Sequence, residues 1–247
     1  MRKRYPFDSL VFGLPESFDF TVIRAVGDVQ NLFATLPNRD RGSAALGVWN
    51  ARAMVGDKVA FHALMETWDH DHREVAREFG GEAEFAKALR MVAPRLKLPS
   101  GRARREAKPG GIFLFRGTFV PPDHEPANHG RGIAWTFDRD AAAWFAIQYW
   151  GGRDGRPWVF QLEVHPAHIV AVHHGRDEAE AIIDATAFVA TTMTVDTDGT
   201  EASDLAPGAQ ASAEALASWQ EAADRYEAAK RERQRAEMAA LTKAAKK

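Results

Sequence analysis

Gly110-Gly-Ile112-Phe-Leu-Phe115-Arg116-Gly117 is the stretch on which the reading of the fold turns. An unbroken apolar run of this kind, opened by a glycine pair, reads as a short strand covered on both faces. It ends in an arginine. A guanidinium at the end of a buried strand is costly unless a carboxylate pairs with it or an anion meets it in a cleft. Strand grammar continues on the C-terminal side. Gly132 to Phe137 reads as a second strand. Asp138 then caps a helix whose Ala142, Phe145, Ala146 and Tyr149 fall at i, i+3, i+4, i+7. Trp158, Phe160, Leu162 and Val164 alternate with Val159, Gln161 and Glu163, the period of a strand. Ile169 to Val172, Glu180 to Ile183 and Phe188 to Val195 read as three further strands.

On the N-terminal side the period is helical. Between Ala44 and about Ala93, Val59, Ala63 and Leu64 share a face with Trp68, and Phe85, Leu89 and Val92 recur at i, i+4, i+7. Gly56 and Gly80-Gly81 divide this region into at least three helices, and Pro94 ends it. Residues 1–42 are less legible, with Phe20 to Val26 fitting either a strand or a helix start. Helices first and strands after predict an α+β protein with a mainly antiparallel sheet.

Between these regions, 95–108 carries six basic residues against Glu106 alone. It is read as an exposed loop, either a solvated linker or an anion contact. Thr194 to Ala211 reads as a linker. Ser212 to Lys247 reads as a helix, with Leu216, Trp219, Ala223 and Tyr226 as a short apolar stripe that docks on its own domain. From Ala228 onward seven Lys/Arg stand against Glu232 and Glu237, either a solvated tail or a contact for a nucleic acid or an acidic partner.

Composition narrows the classes. The chain has 247 residues, 32 Lys+Arg against 34 Asp+Glu, a formal net charge of −2 and 45% hydrophobic residues. Such a composition supports an ordinary globular core and argues against a general polyanion binder. No cysteine is present. Disulfides, thiolate metal sites and a cysteine nucleophile are therefore excluded. The apolar stretch Leu10 to Leu14 stops at Pro15-Glu16, short of the roughly 7–15 residues a signal peptide needs and the about 20 of a membrane span. The expectation is a soluble, cytoplasmic protein, with signal-independent secretion left open.

The familiar nucleophile and phosphate-loop motifs are missing from the sequence. His62, Glu66 and His70 share a helix face at i, i+4, i+8, but they extend over about 12 Å, too far for one metal. That stretch is read as polar surface, and no metal is implied. His173-His174 is either a plain loop pair or a substrate contact. More informative is Arg176-Asp177-Glu178-Ala-Glu180-Ala-Ile-Ile183. In an extended chain Glu178 and Glu180 face the same way, and like charges so close raise each other's pKa unless a cation or ligand intervenes. A carboxylate facing a sugar can stabilise an oxocarbenium-like transition state. An arginine across the cleft can hold a phosphate in a bidentate grip. Together they suit a phosphorylated sugar whose glycosidic bond breaks.

An apolar strand with Arg116-Gly117, then Gly132-Ile-Ala134-Trp135-Thr136 before a helix, then Glu178-Ala-Glu180 heading a strand, resembles the Arg–Ser–Glu, toxin-like class of mono-ADP-ribosyltransferases. The resemblance covers about 111–195 by motif, and 44–93 by the order of the helical lobe only. It implies an ADP-ribosyltransferase-like fold: an N-terminal helical lobe, a mainly antiparallel two-sheet β core and a C-terminal helix. The implied single domain is 1–200, made of the lobe 1–94, the basic loop 95–110 and the β core 111–200, followed by 201–247.

By the same resemblance Arg116 grips the NAD phosphates and the nicotinamide ribose. Thr136 orders the catalytic glutamate. Glu180 is that glutamate, bonded to the ribose 2′-hydroxyl, and Glu178 is the acceptor-side carboxylate. Which of the two carboxylates is essential stays open. Gly117, Trp135, Phe137 and Trp144 complete the NAD-binding set, with Phe137 or Trp144 as the aromatic face for nicotinamide. The loop bearing His173, His174, Arg176 and Asp177 contacts the acceptor. Ala134 departs from the pattern, because it stands where the first serine is expected. The implied activity is transfer of ADP-ribose from NAD to a protein or nucleic acid, possible in a bacterial toxin neutralised by a partner protein. An NAD glycohydrolase and an inactive binding module are the alternatives.

Overall fold

The computed structural model describes residues 14, 18–94, 111–148, 155–173 and 179–244, with backbone alone at 69–73. The basic segment 95–108, Tyr149, His174, Arg176, Asp177 and Glu178 lie outside the described residues. The chain divides into two compact units, Met1–Lys97 and Leu98–Lys247.

The first unit is helical. A 3-10 turn at Phe20–Val22, capped by the Asp19 carboxylate accepting from the Thr21 N–H, leads into α1 (Val26–Thr35). The ambiguous Phe20 to Val26 stretch is thus a helix start. It is followed by α2 (Asn38–Asn50), α3 (Arg52–Val55), α4 (Asp57–Glu78) and α5 (Glu82–Val92). The breaks fall at the glycines read from the sequence. Gly80 and Gly81 have φ of +86° and +127°, values that L side chains adopt only under strain, so the chain reverses there at low cost. Val59, Ala63, Leu64 and Trp68 of α4 are buried, as are Phe85, Leu89 and Val92 of α5. The Trp68 and Phe85 rings stack with centroids 5.1 Å apart. The helical period therefore reported the core face of both helices.

The second unit is built on β1 (Ile112–Val120), β2 (Ala134–Thr136), β3 (Arg156–Val164), β4 (Ile169–His173), β5 (Glu180–Ile183) and β6 (Met193–Val195). The strands run β4-β5-β2-β1-β3-β6, and every neighbouring pair is antiparallel. The fold is thus α+β with an antiparallel sheet, as expected. The two-sheet core is not what forms. The six strands make one sheet, because the register pair Phe115↔Thr136 stitches β4-β5-β2 to β1-β3-β6. Trp158, Phe160, Leu162 and Val164 are buried, as their alternation predicted.

A second correction concerns Phe188 to Val195. Only Met193–Val195 is strand, and Ala187–Ala190 is a short helix, α8 below. Asp184 explains the difference. Its carboxylate accepts from the Thr186 N–H at 2.9 Å and its carbonyl from the Ala187 N–H at 3.1 Å, a local turn that competes with extended chain.

Two helices precede α8 in this unit, α6 (Pro126–Gly130) and α7 (Arg139–Ile147). The Asp138 carboxylate caps α7 by accepting from the N–H groups of Asp140 and Ala141. Where α7 crosses β1 the backbones nearly touch. A Cβ added at Gly117 would lie 1.7 Å from the Ala142 carbonyl oxygen. Gly117→Ala is therefore expected to lower stability by about 2–3 kcal/mol, read from the shift of the urea midpoint at unchanged slope.

The C-terminal helix, α9 (Ala213–Ala244), packs along α7. Trp219, Ala223 and Tyr226 are buried, but Leu216 is 38% exposed, and Ala215 and Ala222 are buried instead. The contact stripe is turned toward the alanines because α7 offers Ala141, Ala142, Ala143 and Ala146, small side chains that admit a close approach. Polar bonds fix the seam. Asp196, 5% exposed, accepts from the Trp219 indole N–H at 3.0 Å and from the Arg139 Nε at 2.8 Å. Arg225 grips Asp140 through two bonds of 2.9 and 2.8 Å. The stretch before α9, read as a linker, is pinned as well. Thr194 bridges to Glu201, and Arg156 donates to the carbonyls of Gly208 and Ala209.

Glu227 makes the seam sensitive to acid. It accepts from the Trp144 indole N–H at 2.8 Å, and that bond, then the one from Arg231, holds its carboxyl below the usual range. A carboxyl lowered in the folded state adds stability above its unfolded pKa and loses it as pH falls through the folded value. Trp144→Phe is expected to move the Glu227 titration upward, toward that of a free glutamate, as followed by NMR of the side-chain carboxyl.

Candidate functional site

The register of the central strands positions the site. Glu180 at the start of β5 pairs directly with Thr136 on β2 and with His173 on β4. Thr136 in turn pairs with Phe115 on β1. Residues directly opposite one another in an antiparallel sheet share a face, so His173, Glu180, Thr136 and Phe115 form one lateral row across four strands. Glu180 and His173 are half-buried. The three motif strands read from the sequence are thus immediate neighbours, in the order β5, β2, β1. The Cα positions of Phe115 and Glu180 are two strand spacings apart, about 10 Å.

Arg116 stands one residue beyond the row along β1. Its guanidinium is half-buried and donates to two backbone carbonyls, from Nε to His129 at 3.3 Å and from Nη1 to Ala134. The plane lies so close to Gly132 that a Cβ there would fall 2.5 Å from Nη2 and 2.7 Å from Cζ. The sequence reading missed these partners. Its only trace of them is Gly132, which leaves room for the guanidinium without announcing what fills it.

Thr136 is buried, and its hydroxyl has a definite job. It donates to the Ala179 carbonyl at 3.3 Å and accepts from the Asp138 N–H at 3.1 Å. The Phe137 N–H donates to the same Ala179 carbonyl, also at 3.3 Å. The end of β2 therefore holds the residue just before Glu180 through its backbone. Thr136→Val keeps the shape and removes both hydroxyl bonds. It is expected to cost about 1–2 kcal/mol by urea unfolding.

The remaining predicted residues divide by surroundings. Trp135 is a core residue, 2% exposed, with its indole N–H donating to the Gly132 carbonyl at 2.7 Å and its ring 6.1 Å from that of Phe188. Gly117 is required by the crossing of α7. Trp144 lies in the seam with α9, where Lys230 Nζ stands 4.3 Å over its ring and Tyr226 packs at 5.7 Å. Phe137 is half-buried between β2 and α7, beside the Glu180 row.

Among the described residues, no group of three or more His, Asp or Glu side chains is placed to hold a metal ion. No helix among them is long and apolar enough to cross a membrane. A hollow of about 270 Å³ lies between Ala127, Arg131, Phe188, Met193, Glu201 and Ser203, and no predicted site residue lines it. The chain matches no protein-family model, no curated protein and no solved structure.

Proposed function

We propose that the chain is a mono-ADP-ribosyltransferase that cleaves NAD and passes ADP-ribose to a macromolecular acceptor, protein or nucleic acid. One observation carries this reading. Three motifs far apart in sequence lie on the adjacent strands β5, β2 and β1, with Glu180 directly opposite Thr136. In this reading the Glu180 carboxylate accepts a hydrogen bond from the nicotinamide-ribose 2′-hydroxyl and stabilises the oxocarbenium-like cation as nicotinamide departs. Thr136, working through the Ala179 carbonyl, is a positioning residue. Arg116 supplies the positive charge for the NAD phosphates at the β1–β2 seam, and the His129 and Ala134 carbonyls orient its plane. The chemistry is positioning and electrostatics.

A second reading is favoured by a specific observation. The Arg116 guanidinium donates to the backbone carbonyls of His129 and Ala134, and Ala134 lacks the expected hydroxyl. Both fit an inactive module that has kept the arrangement without the reaction. Incubation of the whole chain with NAD labelled in the adenine and in the nicotinamide separates the cases. Nicotinamide release with label on protein or RNA supports the transferase. Release without transfer marks an NAD glycohydrolase, and absence of both release and NAD binding leaves the inactive module.

A further inference from the structure

We propose that the C-terminal part of α9, residues 231–244, is a docking arm for a partner protein that offers an apolar groove rimmed by acidic side chains. The first turns of α9 are held by Trp219, Tyr226 and Arg225, as described above. From Arg231 to Ala244 every residue is exposed. These 14 residues extend for about 21 Å at the helical rise. A helix of that length is marginal in water by itself, but this one continues a docked helix and consists largely of strong helix formers, so its nucleation is already in place. It is a preformed surface with no core of its own.

Two observations select the occupant. Met238 and Leu241, at i and i+3, are 64% and 65% exposed and stand one above the other on one side of the helix. Arg235 lies one turn before Met238 and Arg231 two turns before it, on the adjoining flank. Arg231 is paired with Glu227 at 3.0 Å, whereas no ion pair holds Arg235 or Lys243 among the described residues. The arm carries Arg231, Arg233, Arg235 and Lys243 against Glu232 and Glu237, with Lys246 and Lys247 following in sequence. A second copy of the chain would set this positive field against itself. A single-stranded RNA would use the cations but leave Met238 and Leu241 in water, and the arm offers no aromatic ring for base stacking. An acidic groove satisfies both features at once, in the helix-in-groove mode.

The test uses the full chain and a named probe. That probe is a fluorescent synthetic 28-residue helix with Leu at heptad positions a and d and Glu at e and g. Met238→Ser/Leu241→Ser and Arg235→Glu/Lys243→Glu double variants are compared with the unaltered chain. Because the four substituted side chains belong to exposed residues, both variants are expected to keep the parent melting temperature. Each is expected to weaken probe binding at least tenfold. The same peptide with Ser in place of Leu is expected not to bind. Unchanged binding in the Met238/Leu241 variant, or no binding of the leucine peptide at about 0.1 mM, overturns the proposal. So does tighter binding of a 21-nucleotide single-stranded RNA, or arm-dependent dimerisation in sedimentation.

Discussion

Glu180→Gln is expected to reduce nicotinamide release from NAD by at least about a hundredfold, the scale on which removing one aimed electrostatic group slows an enzyme. The substitution is nearly isosteric and keeps hydrogen-bonding capacity but removes the charge that opposes the developing cation. Glu180 is half-buried at the first position of β5, and its backbone register with Thr136 and His173 does not depend on the carboxylate. The urea midpoint should therefore stay within about 0.5 kcal/mol of the parent. That combination, activity lost and stability kept, separates a catalytic role from a structural one. Full turnover in the variant would show that the essential carboxylate is elsewhere, and Glu178→Gln would then be the variant that loses release.

The largest effect on stability is expected from Trp219→Ala, a loss of about 3–5 kcal/mol. The side chain is fully buried, lies 6.3 Å from the Trp158 ring, and donates its indole N–H to Asp196. Truncation empties a large volume between the sheet and α9 and takes one donor from a buried carboxylate. Trp219→Phe keeps most of the volume and removes only the N–H, so it should cost about 1–2 kcal/mol. The difference between the two variants, from denaturant unfolding, measures how far α9 is held by packing rather than by the bond to Asp196. If Trp219→Ala costs under 1 kcal/mol, α9 is not an integral part of the second unit. Limited proteolysis gives an independent check, since an undocked α9 should be cut at Lys and Arg positions that the docked helix protects.

Several elements were legible because their signal is local. Asp138 reads as an N-cap and acts as one, and the buried faces of α4, α5 and β3 follow directly from periods of 3.6 and 2. Two readings failed for physical reasons that the same local view misses. Phe188 to Val195 is apolar enough for a strand, but the turn at Asp184 begins a helix first. Leu216 has the right spacing for the α9 stripe, yet α7 presents alanines, and the close approach they permit turns the contact toward Ala215 and Ala222. The candidate site was legible as three motifs. Arg116 was recognised as a guanidinium in need of a partner, but that its partners include the His129 and Ala134 carbonyls could not be read, because a backbone carbonyl leaves no mark in a sequence.

What the amino-acid order determined by itself is therefore the kind and approximate extent of the main helices and strands, and the residue types able to do chemistry on them. Each of these depends on neighbours within a few positions. The tertiary structure alone decided that β5, β2 and β1 lie side by side, that Glu180 faces Thr136, and that Arg116 falls one residue outside their row. A shift of a single residue in strand register reverses every side chain in that strand, and register is set by pairing between segments far apart in the chain. The same holds for Asp196, whose bonds to Arg139 and Trp219 close the seam between α7 and α9 across separations that no local pattern records.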